Sequence, residues 1–340
     1  MRVGTRGSAL ALAQAGHVAE QLAIALGAGD PIELVTLKTS GDSADSAAPR
    51  TSPGGAPADK SRWVDAIEDA LRAGEIDLAV HSAKDVPGEL AEGLALLGAP
   101  TRAAAEDVLC GADALESLPA GARVGTGSLR RAAQLRAARE DLRVVAIGGN
   151  VDTRLRRLGE GNLDAIVLAH AGLLRLDRAE EAGAVLDPAR FVPSPGQGVL
   201  ALEGRVGDAR VEAAVRAIAD ADAFACLRAE RAVASALDAS CHTPLGAHAV
   251  PGGCGCLYLR AWVGLPDGSA WCGDELLGGF YDPEELGRRV AERMKAAGAE
   301  EMLTEAGRYA PFGAGRFGDA SGASVPLIGP RFGQRRGDGR

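Results

Sequence analysis

Three times in this 340-residue chain a short β-rich run ends in a turn of small residues and opens into a helix-forming segment that carries arginine. The stretches are RVGTRGSALALAQ (2–14), RVGTGSLRRAAQL (123–135) and IGGNVDTRLRRL (147–158). They belong to a longer alternation. Over the first 200 residues, strand candidates at 32–37, 76–81, 122–126, 143–147 and 164–169 are separated by amphipathic helical runs such as RWVDAIEDALRAG and SLRRAAQLRAAR. This alternation predicts mostly parallel sheets covered by helices on both faces, since parallel neighbours are joined by crossovers. Ligands in such folds sit at the carboxyl ends of the strands. From about residue 220 the pattern changes to a helix, a polar loop, strands at 256–264 and 269–276 and a helix at 283–298, which predicts a small α+β domain. With aromatics at 4%, the cores have to be built from Ala, Val, Leu and Ile.

Each small-residue turn leaves N–H groups unpaired at a helix start, where the helix dipole favours an anion. Ser8 and Ser128 can cap their helices or donate to a ligand oxygen. Arg6, Arg130, Arg131 and Arg154 add charge in the bidentate geometry that suits carboxylates. One such turn is as readily a plain N-cap beside solvated arginines. Three of them in a chain of net charge −9 favour a polyanionic ligand. The same acidic balance argues against a nucleic-acid or membrane-surface binder.

AVHSAKDVPG (79–88) closes a strand with Lys84 and Asp85 adjacent. Pro87 biases Val86 away from helix, which leaves Asp85 on a strand-end loop facing the cleft. A carboxylate there can stabilise a developing cation and exchange protons; a simple Asp-turn is the competing reading. DASCHTPLG (238–246) sets Cys241 beside His242. By itself it leaves open a nucleophile, a metal ligand, a buried filler and an attachment point, although catalytic Cys/His pairs are usually distant in sequence. Cys254, Cys256 and Cys272 have the wrong spacing for a zinc ribbon, so no metal is expected. GTGSLR lacks the spacing of a dinucleotide fingerprint.

The N-terminus shows no signal-peptide pattern, and no run approaches the roughly 18 apolar residues of a membrane span, so a cytoplasmic location with all six cysteines reduced is expected. SADSAAPRTSPGGAPADKS (43–61) exceeds usual loop lengths and reads as a lid or a disordered loop. The Gly/Arg-rich stretch 310–340 reads as a disordered tail.

Taken together, GTRGSALALAQ, HSAKDVP, GTGSLRRAAQLR, GNVDTRLRRL, DAIVLAHAGLLRL, PSPGQGVLALE and ERAVASALDASCHTPLGAHA resemble the porphobilinogen deaminase (hydroxymethylbilane synthase) family, collinearly from residue 2 to about 300. The resemblance implies two doubly wound α/β domains like those of type II solute-binding proteins plus a small α+β C-terminal domain. Domain 1 would comprise 1–99 with 197–217, domain 2 would be 100–196, and domain 3, 218–309, would carry the cysteine loop. It further implies a monomeric, cytoplasmic transferase of heme and porphyrin biosynthesis, with porphobilinogen as its small-molecule substrate. A dipyrromethane cofactor would be covalently attached through Cys241. Four porphobilinogen molecules would be added to its free end with loss of ammonia, and water would release a linear tetrapyrrole.

By the match, Asp85 is the catalytic carboxylate. Lys84, Ser128, Arg130, Arg131 and Asp85 would bind the cofactor, and Arg6, Ser8, Gln14, Arg154, Arg175 and Lys60 the substrate; Asp42 falls near the lid. The chain departs from the family pattern at Gly148, where an arginine is usual, at Asp152 in place of Gly, at Glu106 in place of an arginine, and in PADKSRW for GGKGLF. His170, Arg156 and Arg157 are candidates to compensate. A diverged homologue with altered pyrrole substrate or low activity, and a cytosolic binding protein for a carboxylated ligand, stand as the alternatives.

Overall fold

The structure is a computed structural model that describes residues 1–27, 31–37, 61–239, 243–253 and 255–309. Among these, strands form two five-stranded sheets and one three-stranded sheet. The first sheet holds β1 (Arg2–Arg6), β2 (Glu33–Leu37), β3 (Leu78–Ser82), β4 (Leu94–Gly98) and β10 (Leu200–Arg205) in the order β2-β1-β3-β10-β4. The second holds β5 (Asp107–Cys110), β6 (Arg123–Thr126), β7 (Arg143–Ala146), β8 (Ala165–Ala169) and β9 (Ala184–Leu186) in the order β7-β6-β8-β5-β9. β11 (Leu245–Gly252), β12 (Cys256–Gly264) and β13 (Trp271–Gly279) form the third, an antiparallel meander. The helices are α1 (Ala9–Leu26), α2 (Ser61–Arg72), α3 (Leu129–Ala138), α4 (Val151–Gly159), α5 (His170–Leu174), α6 (Ala209–Ile218), α7 (Ala221–Ala236), α8 (Pro283–Ala296) and α9 (Ala299–Ala306).

The large sheets are mixed rather than mostly parallel. β2, β1 and β3 run parallel, as do β7, β6 and β8, but β10 is antiparallel to both β3 and β4, and β5 to both β8 and β9. The reason lies in how the chain arrives. β5 follows the crossing from the first sheet to the second, and β10 follows the crossing back. Neither is reached through a helical crossover from its neighbour, so neither is constrained to run parallel.

Each large sheet is buried on both faces by alternate residues. Leu78 and Val80 pack with Leu22 of α1 and Val211 of α6, whereas Ala79 between them packs with Ile67 and Leu71 of α2. In the second sheet Val124 and Val167 face Leu135 of α3, while Ile166 and Leu168 face Leu155 of α4. Full burial of each such aliphatic side chain stabilises the fold by about 1.5–3 kcal/mol. The third sheet packs one face on α7 and α8. Trp262, with Val192 and Ala133, docks it against the second sheet's helix α3.

Two expectations need correction. α1, with 18 residues and a mean hydropathy of 1.2, is long and apolar enough to cross a membrane. Its buried residues Gln14, Ala15, Val18 and Leu22 nevertheless form a stripe of helical period that packs on the first sheet and α6. Cys110, Cys226 and Cys272 are free and buried, and burial pushes their thiols up to about 11, 12 and 11. Cys256, by contrast, is disulfide-bonded to a partner outside the described residues, so the six cysteines are not all reduced; it starts β12 opposite Gly252.

Candidate active site

The first sheet delivers one wall of the site from two neighbouring strand ends. β1 ends at Arg6, and Ser8 caps α1 by accepting from the Ala11 N–H at 3.2 Å. Gln14 is buried on the same helix. β3 ends at Ser82, and residues Ala83–Asp85 follow as a single 3-10 turn that carries Lys84 and Asp85. Arg6, Ser8, Gln14, His81, Ser82 and Asp85 line one cavity. The strand end is anchored from below: the Ala83 N–H donates to the Val199 carbonyl at 3.0 Å, and His81 Nε2 lies 2.8 Å from the fully buried Glu203 carboxylate.

The second sheet delivers the opposing wall. Ser128 caps α3 by accepting from the Arg131 N–H at 3.4 Å, and Asn150 caps α4 by accepting from the Thr153 N–H at 2.9 Å. Gly127 is required between them, since a Cβ there would come within 2.7 Å of the Ile147 carbonyl oxygen. Arg154 Nε donates to the Gly149 carbonyl at 2.8 Å, and Arg175 Nη2 donates to the Gly198 carbonyl at 2.7 Å. Burial pushes both guanidinium groups down to about 10, which leaves them charged at neutral pH. For Arg154 the neighbouring charges of Arg131 and Arg157 add to the effect, and the Asp85 carboxylate across the cleft partly offsets it. Among the described residues neither Arg154 nor Arg175 makes an ion pair.

Arg130 and Arg131 are placed differently. Arg130 Nη1 donates to Asp107 Oδ2 at 2.8 Å and to the Val192 carbonyl at 2.8 Å. Arg131 donates through Nε to Asp107 Oδ1 at 3.0 Å and through Nη1 to the Val167 carbonyl at 3.1 Å. Gln197, on the return crossing, donates to the same Asp107 oxygen at 2.8 Å. Burial alone would raise the Asp107 carboxyl, but the two guanidinium groups hold it well below the usual carboxylate range. Neither Asp107 nor Gln197, although Gln197 lies within the PSPGQG motif, was assigned a role from the sequence, because their partners are remote along the chain. The same holds for the buried pair of Arg102 and Glu230 at 2.6 Å, where Glu230 also accepts from the Gly196 and Ala249 N–H groups.

The departures from the family pattern also resolve geometrically. Asp152 turns to the outer face of α4 and pairs with Arg178 at 2.6 Å. Gly148 is exposed at the β7–α4 turn, and a Cβ there would meet nothing within 4 Å. Glu106 accepts from the His170 N–H through its backbone carbonyl at 3.0 Å. Arg156 pairs with Glu160 at 3.2 Å on the exposed side, whereas Arg157 lies close enough to Arg154 to act on it as a like charge. Cys241, Lys60 and Asp42, the 43–60 part of the expected lid and the 310–340 tail lie outside the described residues. Among the described residues no group of three or more His, Cys, Asp or Glu could hold a metal ion.

Two mixed α/β lobes whose strand ends lead into cation-bearing helix starts, with a third α+β unit docked on them, define a two-lobed α/β protein. Residues 1–213 match the family described as "Porphobilinogen deaminase, dipyromethane cofactor binding domain", and residues 224–296 match "Porphobilinogen deaminase, C-terminal domain". The chain is 46% identical over 310 residues to the porphobilinogen deaminase of Rubrobacter xylanophilus, covering 88% of this chain and 95% of that protein. It is 42% identical over 305 residues to the porphobilinogen deaminase of Thermus thermophilus, covering 89% and 98%. The chain belongs to the porphobilinogen deaminase family and is an enzyme of the transferase class. Solved structures similar to it include a nutrient binding protein from Burkholderia cenocepacia bound to methionine, at 13% identity and TM-score 0.39 over 64% of this chain and 91% of that chain. Another is immunogenic lipoprotein A from Vibrio vulnificus, at 14% identity and TM-score 0.40 over 64% and 94%.

Proposed function

We propose that this chain condenses four porphobilinogen molecules, with loss of one ammonia from each and uptake of one water on release, into hydroxymethylbilane, and that Asp85 is its reacting carboxylate. One observation carries the reading: Arg154 and Arg175 are desolvated cations whose hydrogen-bond acceptors are backbone carbonyls and which make no ion pair among the described residues, and Asp85 stands within electrostatic reach of Arg154. Desolvated, uncompensated guanidinium groups are suited to receiving carboxylates from outside the protein. The acetate and propionate groups of pyrrole substrates supply these, and a dipyrromethane carries four. The residues present therefore fit that cofactor, with Cys241 as its covalent attachment. When bound, the cofactor supplies the free pyrrole end to which substrate is added.

The chain's own residues divide the remaining work. Arg6, Arg154 and Arg175, with Ser8, Gln14 and Lys60, hold substrate carboxylates and fix their orientation. Lys84 and Ser128 stand on the cofactor side. Arg130 and Arg131 belong there as positive potential, since Arg130 Nη1 and Arg131 Nε and Nη1 are committed to Asp107 and to backbone carbonyls. Asp85 stabilises the positive charge that develops on the substrate as ammonia leaves, and accepts the proton released there. We read the protein as a cytoplasmic monomer without nucleic-acid or membrane partners. Its domains are read as 1–99 with 197–217, 100–196, and 218–309, a division supported by the return of β10 into the first sheet.

Intact-protein mass spectrometry tests the proposal. Protein made with porphobilinogen available should exceed the sequence mass by two linked pyrrole units, and Cys241→Ser should lose that increment. Asp85→Asn should keep it yet release ammonia from porphobilinogen at least about a hundredfold more slowly. An unmodified Cys241, or ligand capture without ammonia release, would overturn the reading in favour of a binding protein. One observation favours a second reading, a homologue with altered pyrrole preference: the open space at Gly148.

A further inference from the structure

α7 grips two separate parts of the molecule with consecutive side chains. Glu230 is fully buried and holds the return crossing, accepting from the Gly196 N–H at 2.6 Å and pairing with Arg102. Arg231 points elsewhere, as successive helical residues do at about 100° apart. Its Nη1 donates to the Val86 carbonyl at 3.3 Å, and its Nη2 donates to the carbonyls of Pro87 at 2.7 Å and Gly88 at 3.0 Å. These three carbonyls follow Asp85 directly in the chain. One helical turn earlier, Leu227 packs with Ala83, the residue that opens the 3-10 turn. Gly196 closes the contact, since a Cβ there would lie 2.9 Å from the Ala83 Cβ and 3.1 Å from Leu227. The turn bearing Asp85 is thus held before and after by a helix of the C-terminal unit, and Pro87, which has no N–H, cannot secure its far side through a backbone donor.

We infer that Arg231 is a positioning residue for Asp85: by capping the carbonyls of residues 86–88 it fixes the turn on which Asp85 stands and ties that turn to α7. This rests on the reading of Asp85 as the reacting carboxylate. A guanidinium is suited to the task because its planar fork reaches three acceptors at once, and a lysine ammonium at the end of a flexible stem does not hold them in one geometry. Burial lowers the Arg231 guanidinium from its ordinary value, consistent with a side chain enclosed by the loop it serves. Arg228, one turn away on α7, serves as a control: it is exposed and pairs with Glu284 of α8, within the C-terminal unit.

The test compares Arg231→Met, Arg231→Lys and Arg228→Met in the full-length, cofactor-loaded protein. Arg231→Met should lower kcat about tenfold or more with the KM for porphobilinogen within about twofold, as expected when a reacting group is displaced and substrate binding is not. Arg231→Lys should fall between it and the parent. Amide hydrogen exchange over residues 83–90 should quicken in Arg231→Met and stay unchanged in Arg228→Met. In an Asp85→Asn background, Arg231→Met should add no further loss, because the two changes act on one group. Unchanged exchange over 83–90, a kcat no lower than that of Arg228→Met, or a raised KM at constant kcat would overturn the inference. Should Arg231→Met fail to fold, Arg231→Lys carries the same kcat and exchange readouts. An active Asp85→Asn protein would instead overturn the reading of Asp85 itself, whatever Arg231 does.

Discussion

Asp107 lies 2.8 Å from the Arg130 guanidinium at a place sealed from solvent, with Arg130 3% and Asp107 1% exposed. Arg131 completes the cluster from the next position of the same helix. This relationship separates the arginines of the cleft into two sets. Arg130 and Arg131 share one internal counter-charge, whereas Arg154 and Arg175 make no ion pair among the described residues.

Removing the internal counter-charge should be costly. Asp107→Asn leaves two buried guanidinium groups facing a neutral amide, and breaking such a cluster costs about 3–5 kcal/mol. Urea unfolding at neutral pH should show that loss against the parent. The Asp107 carboxyl titrates lower in the folded chain than in the unfolded one, so its contribution is complete above the unfolded value of about 3.9 and is lost as pH falls below it. The stability gap between parent and variant should therefore narrow in acid below about pH 4.

Gly127→Ala drives a methyl group against the Ile147 carbonyl oxygen, a backbone atom that cannot step aside cheaply. The turn that presents Ser128, and the Arg154 side chain lying over it, should shift. Retained dipyrromethane, read from intact mass, should drop, and overpacking should lower stability by about 1–3 kcal/mol in thermal unfolding.

At Gly148 the expected sign is the opposite. The position is open, so Gly148→Arg should be accommodated with no measurable change in melting temperature. One added charge-assisted hydrogen bond to a carboxylate is worth about 1.5–3 kcal/mol, which predicts a KM for porphobilinogen lowered by about tenfold or more. An unchanged KM would show that Arg154, Arg157 and Arg175 already meet the substrate's carboxylates.

Asp152→Ala should matter little. Its partner Arg178 also pairs with Glu181 at 2.6 Å, and both side chains of the Asp152 pair are substantially exposed. Pairs of this kind contribute about 0–1 kcal/mol. Thermal unfolding and kcat should both stay close to the parent, and a marked loss of kcat would place Asp152 in the cleft after all.

β4, β5, β9 and β10 were not marked as strands, but β1, β2, β3, β6, β7 and β8 were legible one by one because their residues alternate between two buried faces, as Leu78, Ala79 and Val80 do. Their directions were not. Strand direction depends on where the chain enters a sheet, and β5 and β10 enter from the other lobe. The strand-end turns at Ser8, Ser128 and Asn150 could likewise be read locally, since a cap is made by a side chain three residues from the N–H it serves.

What the sequence by itself determined, then, is the set of local elements, the helix starts fit for anions, and a collinear run of motifs strong enough to place the chain in its family. The tertiary structure decided how alike-looking arginines divide their labour. Arg131 and Arg154 stand in similar turn-helix motifs, yet Asp107, 24 residues before Arg131, pairs with Arg131, whereas Arg154 makes no ion pair among the described residues. It also decided that Arg231, 144 residues from Pro87, grips the turn that bears Asp85. Local propensity acts over a few residues, whereas burial and charge compensation act through space between segments that meet only when the chain has folded.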